Sequence, residues 1–163
     1  MKKKKEDIDS AKKADVKMRL DLSLLAICFT IFTFLVAVNP GQLKDNLLIT
    51  LQLVLAIPLL LTSIFAKMKI TNIPNAIIWE RYSYISFTIA YGFLINLIGN
   101  LLCSAISLWI GIVFFIANIL FALIYSVIVV KYYNHNISKR VLKDSLFILT
   151  LILLGILPAL NVY

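Results

Sequence analysis

The sequence "ISFTIAYGFLINLIGNLLCSAISLWIGIVFFIANILFALIYSVIVV", Ile85 to Val130, runs for 46 residues without one charged side chain. A single helix of that length would be about 69 Å long at about 1.5 Å of rise per residue, whereas the hydrocarbon core of a bilayer is about 30 Å thick. The chain is therefore expected to cross a membrane twice within this stretch and to reverse direction between the two crossings.

The composition of the whole chain also predicts a membrane protein. Hydrophobic residues make up 61% of the 163 residues, charged residues only 15%, and the mean hydropathy is +0.95. Soluble domains carry about 45–50% apolar and about 25% charged residues. We therefore predict a multi-pass integral protein of the cell membrane. The net charge is +8, but the basic residues flank the apolar runs, so we expect no nucleic-acid partner.

Five apolar runs organise the chain. Each is close to the 17–25 residues that a helix needs to cross a bilayer, and none contains Asp, Glu, Lys, Arg or His. Membrane strands would instead alternate apolar and polar residues. The runs predict an all-α bundle of five transmembrane helices over residues 22–163, preceded by a basic cytoplasmic segment, residues 1–21. The expected spans are approximately 22–38, 47–66, 85–102, 106–130 and 146–162.

The basic residues predict the orientation of this bundle. With five crossings, 15 of the 16 lysines and arginines fall on one side of the membrane, and Lys44 alone falls on the other. Loops that are rich in Lys and Arg remain in the cytoplasm. The N-terminus is therefore expected in the cytoplasm and the C-terminus outside, with anionic lipid as the partner of the basic cytoplasmic face.

Aromatic and charged residues predict where the chain meets the membrane surface. Trp79, Glu80 and Arg81 precede the third run and are expected to be interfacial anchors, with Trp109 as the anchor on the opposite side. The reversal is then expected at about Asn100–Ser107. In this interpretation Asn100 is a turn residue, and the next helix is capped by Ser104 or Ser107.

The apolar runs lack the groups that catalysis would need. A hydrolytic site requires a nucleophile with a positioned base or a metal with several ligands, and a proton-coupled carrier usually requires an acid or histidine within the membrane. Because no ionisable residue lies within the five runs, we expect no enzyme, no catalytic residue, no metal site and no cofactor.

Small and polar residues recur at helical spacing in four of the five runs, and we expect these stripes to face the interior of the bundle. Their polar members include Thr30 and Thr33 in the first run, Gln52 in the second, Asn96 in the third and Asn118 in the fourth.

Small and polar residues of this kind bring membrane helices together and hydrogen-bond across them. The same side chains could line a polar vestibule for an ion or small solute. Both interpretations remain open at the level of sequence. The four stripes comprise, in order, Ala26, Thr30, Thr33 and Ala37; Gln52, Ala56, Ser63 and Ala66; Gly92, Asn96, Gly99 and Cys103; and Gly111, Asn118, Ala122 and Tyr125.

Three functions are compatible with these patterns. The first is a non-catalytic membrane component, either an accessory subunit of a membrane-protein partner or a self-associating bundle. The second is a small channel or transporter that uses the intramembrane amides and hydroxyls. The third is a membrane-acting toxin or holin-like pore former, which rests only on small size and a basic tail.

Overall fold

Almost the whole described chain is helical. The computed structural model describes residues 2–38, 40–72, 77–133 and 137–162, and within these only Asn46, Ile106 and Ser107 lie outside helices. The helices are α1 (Lys2–Val38), α2 (Pro40–Asp45), α3 (Leu47–Asn72), α4 (Ile77–Ala105), α5 (Leu108–Tyr133), α6 (Ile137–Leu151), a π-helical turn (Ile152–Ile156) and α7 (Leu157–Val162). The predicted all-α class is confirmed.

In the part of the chain that the structure describes, four helices are long and apolar enough to cross a membrane, which supports the prediction of a membrane protein. They comprise Lys12–Val38, Leu47–Asn72, Ile78–Ala105 and Leu108–Lys131. The fifth predicted run lies in a shorter apolar helix, Asp144–Leu160. The first three of the four long helices extend past their apolar runs at the end where the basic residues lie, which we call the basic end of the bundle.

The connections between the first three helices follow from local chemistry. Pro40 opens α2, where its fixed φ suits a first helical position and its missing N–H costs nothing. Asn46 precedes α3, and its Oδ1 accepts a hydrogen bond from the Ile49 N–H at 3.3 Å. An Asn at this position satisfies one of the free amides at a helix start. The Thr50 Oγ1 donates to the Leu43 carbonyl at 2.5 Å, which fastens α2 to α3.

The chain reverses between α4 and α5 at Ile106 and Ser107, within the predicted range. The amides of both residues donate to the Leu102 carbonyl, at 3.1 Å and 3.2 Å. The Ser107 Oγ accepts a hydrogen bond from the Ile110 N–H at 3.4 Å, so the expected serine cap is confirmed. The prediction for Asn100 is wrong, because α4 continues through it and its side chain is 1% exposed.

Helix α4 is the central element of the bundle. It packs against α3 on one side and against α5 and α6 on the other, while α1 packs against α3. One apolar cluster joins α1, α3 and α4 through residues such as Cys28, Leu53 and Leu97. A second joins α4 to α5 and to the helical segments that follow α5, through residues such as Phe115 and Leu151. Helix α1 therefore lies at the edge of the bundle.

Helix α6, the π-helical turn and α7 follow one another without a break over residues 137–162, and we call this continuous segment the last helix. The last helix runs in the same direction as α4. The rings of Tyr91 and Phe147 stack with their centroids 5.7 Å apart. Further along, α4 residues Asn96 and Asn100 contact the backbone of Thr150 and Leu154. Residue numbers increase together on both helices, so the two helices are parallel. Helix α4 contains the third predicted span and the last helix contains the fifth. In a bundle whose consecutive spans are antiparallel, the third and fifth spans are parallel to each other.

Candidate functional site

A cluster of buried amides joins α3 and α4 to the last helix. The Gln52 Nε2 donates to the Leu154 carbonyl at 2.6 Å, and the Asn100 Nδ2 donates to the same carbonyl at 3.2 Å. The Asn100 Nδ2 also lies 3.3 Å from the Gln52 Oε1. Gln52 is 2% exposed. Three helices therefore meet at one backbone oxygen.

Pro158 removes the usual α-helical donor to this oxygen. In an α-helix the Leu154 carbonyl would accept from the N–H four residues later, but proline has no N–H. The backbone here also forms a π-helical turn, in which the Leu157 N–H bonds to the Ile152 carbonyl five residues back. Side chains of neighbouring helices can satisfy carbonyls that a proline frees within a membrane. Gln52 and Asn100 do so here.

Asn96 makes the next contact with the same helix. Its Nδ2 donates to the Thr150 carbonyl at 2.9 Å. The approach is close because position 155 is a glycine: a Cβ there would overlap the Asn96 Oδ1 and the ring of Phe115. The Oδ1 atoms of Asn96 and Asn100 are buried, and neither has a hydrogen-bond partner among the described residues.

The other residues of the predicted vestibule lie apart from this cluster. Thr30 and Thr33 are exposed on α1 and donate to the Ala26 and Phe29 carbonyls of their own helix, at 2.9 Å and 2.8 Å. Asn118 is half-buried, and its Nδ2 donates to the Phe114 carbonyl of α5 at 2.8 Å. The structure therefore brings Gln52 and Asn96 together with Asn100, but does not place the two threonines beside them.

The stripe of α1 does not face the interior as expected. All four of its members are exposed, and Thr30, Thr33 and Ala37 line a shallow surface groove together with Phe29 and Phe34. Helix α1 instead turns Cys28 and Leu35 toward α3 and α4. The inward orientation is confirmed for the second and third stripes, whose members are buried: Gln52, Ala56, Ser63, Ala66, Gly92, Asn96, Gly99 and Cys103.

A buried ion pair at the basic end is the site that sequence reasoning missed. The Lys67 Nζ lies 2.5 Å from the Asp21 Oδ2, and the two side chains are 7% and 0% exposed. The sequence placed Asp21 in the N-terminal segment and Lys67 in a connection, outside the spans. Both lie in helices that continue beyond their apolar runs, so the pair forms just outside two of the predicted runs, which themselves contain no ionisable residue.

Polar atoms from three helices surround this pair. The Ser63 Oγ donates to the Asp21 Oδ2 at 2.7 Å and lies 3.2 Å from the Ser83 carbonyl and 3.3 Å from the Ser83 Oγ. The Lys67 Nζ also donates to the Lys17 carbonyl at 3.3 Å. The Asp21 Oδ1 is buried and has no hydrogen-bond partner in the described part of the chain.

An aromatic ring completes the surroundings of the ammonium group. The Lys67 Nζ lies 4.8 Å from the centroid of the Phe87 ring, close enough for a cation–π interaction. The same ring packs against the apolar cluster that joins α1, α3 and α4. Burial of a charge is costly unless the charge is paired and hydrogen-bonded. Lys67 has a carboxylate, a carbonyl and a ring as partners, so its charge is compensated in place.

The sequence contained a signal for the ion pair. Asp21 stands directly before the first apolar run, and Lys67 directly follows the second. Because consecutive spans are antiparallel, these two positions lie at the same end of the bundle. Opposite charges at matching ends of neighbouring spans are therefore candidates for a pair.

The expected interfacial anchors lie at opposite ends of the bundle. Trp79, Glu80 and Arg81 are exposed in the first turns of α4, and Trp109 is 76% exposed in the first turn of α5. Their contact with lipid headgroups stays a prediction.

Comparison of the chain with protein-family models, with curated proteins and with solved structures gives no match. Among the described residues, no three His, Cys, Asp or Glu side chains are grouped so that they could hold a metal ion. The amide cluster and the ion pair are therefore the features of the molecule that indicate a function.

Proposed function

We propose that the chain is a non-catalytic component of the cell membrane, either an accessory subunit or a self-associating bundle. The amide cluster carries this proposal. The side-chain amide nitrogens of Gln52, Asn96 and Asn100 all donate to backbone carbonyls of the last helix. These side chains therefore hold helices together, and their hydrogen bonds to the backbone account for polar groups among apolar helices without a bound solute.

The proposed topology has five crossings, with the N-terminus in the cytoplasm and the C-terminus outside. The parallel course of α4 and the last helix supports it, because the third and fifth spans of such a bundle run in the same direction. Asp144–Leu160 is shorter than the other apolar helices. Its attachment to α3 and α4 through buried amides supports a position within the bundle. The distribution of Lys and Arg supports the orientation.

The experiment that tests this function is the mass of the complex extracted gently from its native membrane. We expect native mass spectrometry of the tagged chain in lipid nanodiscs to show a stoichiometric partner or a multiple of the 18.4 kDa chain. A control extraction at high detergent concentration should release the single chain. Recovery of a single chain that moves a solute in proteoliposomes would overturn the proposal.

A small carrier is the second candidate, and the buried ion pair is the observation that favours it. Ionisable residues within spanning helices often mark pathways for ions and protons. Asp21 and Lys67 both lie in such helices. Flux through proteoliposomes that is lost in Asp21→Asn, but retained in a control with the exposed Asp15→Asn, would select this candidate.

A further inference from the structure

We propose that the oxygen atoms around Asp21 form a binding site for a monovalent cation, and that the ammonium group of Lys67 is the cation that occupies it. The ligand class is a small alkali cation such as Na⁺ or K⁺. This inference goes beyond the proposed function and does not depend on it, since either an accessory subunit or a carrier can contain such a site.

The geometry of the ligand atoms is the first support. The carboxylate of Asp21, the hydroxyl of Ser63 and both the hydroxyl and carbonyl oxygens of Ser83 form a chain of contacts between 2.7 Å and 3.3 Å. The Lys17 carbonyl accepts a hydrogen bond from the Lys67 Nζ at 3.3 Å. Carboxylate, carbonyl and hydroxyl oxygens are the ligands that hard cations prefer.

The second support is the Asp21 Oδ1. This oxygen is fully buried and has no hydrogen-bond partner among the described residues, although Asp21 itself is 0% exposed. A buried carboxylate oxygen without a partner is costly. Lys67 and Ser63 both use the other oxygen, Oδ2. An alkali cation that is bound by both carboxylate oxygens would give the Asp21 Oδ1, which Lys67 does not contact, a partner.

The charges define the valence of the ligand. Two charged residues of α1 lie beside Lys67: Asp21, which pairs with it, and Lys17, which accepts its hydrogen bond through the backbone carbonyl. Serines and Phe87 supply the remaining contacts from α3 and α4. One carboxylate balances one ammonium, so a replacement that keeps the site neutral carries a single positive charge. If Lys67 releases one proton to water and remains as a neutral amine, one cation can take its place on Asp21.

The test removes the resident ammonium and supplies free cations. Lys67→Met leaves Asp21 buried without a counter-charge. We expect this variant, in detergent micelles with choline chloride, to melt below the wild type. Replacing choline with sodium or potassium at equal ionic strength should raise its melting temperature by about 5–10 °C when the cation is about a hundredfold above its Kd. Two variants serve as controls.

The double variant Asp21→Asn/Lys67→Met lacks the carboxylate and should not respond to the choice of cation. Lys69→Met, in the same helix but exposed, should behave as the wild type. If Lys67→Met folds only when sodium or potassium is present during extraction, the proposal is also supported. Equal melting temperatures of Lys67→Met in choline, sodium and potassium, or failure to fold in all three, would overturn it.

Discussion

Gln52 on α3 donates a 2.6 Å hydrogen bond to the carbonyl of Leu154, the carbonyl whose usual α-helical donor is missing because residue 158 is proline. Gln52 and Pro158 lie 106 residues apart in the sequence. The side-chain amide of Gln52 supplies the Leu154 carbonyl with a donor in place of the backbone N–H that Pro158 lacks. An unsatisfied backbone carbonyl within the hydrocarbon would be costly. The amide of Gln52 and the ring of Pro158 should therefore be coupled in their effect on stability.

We expect Gln52→Leu to lower the free energy of unfolding by about 1–2 kcal/mol, because the Leu154 carbonyl loses its shorter hydrogen bond. In a Pro158→Ala background, where an N–H can bond to that carbonyl, the same substitution should cost less. Reversible unfolding in mixed micelles, carried out on the four members of this double-mutant cycle, measures the difference. Additive costs would show that the two residues act independently.

Gly155→Ala should destabilise the bundle by about 1–3 kcal/mol, since its methyl group would overlap the Asn96 Oδ1 and the Phe115 ring. The matched control is Ala26→Val on the exposed face of α1, which should change stability by less than about 0.5 kcal/mol. Thermal melts of both variants in the same detergent compare them. A wild-type melting temperature for Gly155→Ala would contradict the close packing of the last helix on α4.

Breaking the buried ion pair should be far more costly than breaking an exposed one. Removing one partner leaves an uncompensated buried charge, so Lys67→Met should cost about 3–5 kcal/mol in a solution without alkali cations. The exposed pair between Arg19 and Asp15, 3.1 Å apart on α1, is the control. Arg19→Met should cost less than about 1 kcal/mol. Similar losses for the two variants, measured by chemical unfolding, would argue against burial of Lys67.

The five-span topology makes a prediction for the C-terminus. A reporter fused after Tyr163 should give the signal of an external location. A reporter inserted after Lys2 should give the signal of a cytoplasmic location. Paired alkaline phosphatase and green fluorescent protein fusions measure the two locations. A cytoplasmic signal at Tyr163 would leave an even number of crossings and would refute the proposed topology.

The reversal near Ser107 and the serine cap of α5 could be predicted from the sequence, because aromatic residues, apolar length and capping preference are properties of local segments. The role of Asn100 could not. An asparagine near the expected end of a helix suits a turn, and its actual partners, Gln52 and Leu154, are 48 and 54 residues away. Only the packing of three helices shows that the amide is buried.

What the sequence by itself determined is the kind of molecule: apolar runs of membrane length, a helical class and a basic end, all of which follow from hydrophobicity and from the need to satisfy backbone hydrogen bonds in lipid. The tertiary structure decided how each helix is rotated about its axis. That rotation turns Thr30 and Thr33 outward, faces Asp21 toward Lys67 and aims Gln52 at Leu154. An apolar run has almost the same hydrophobicity on every face, so only contact with neighbouring helices could select the rotation.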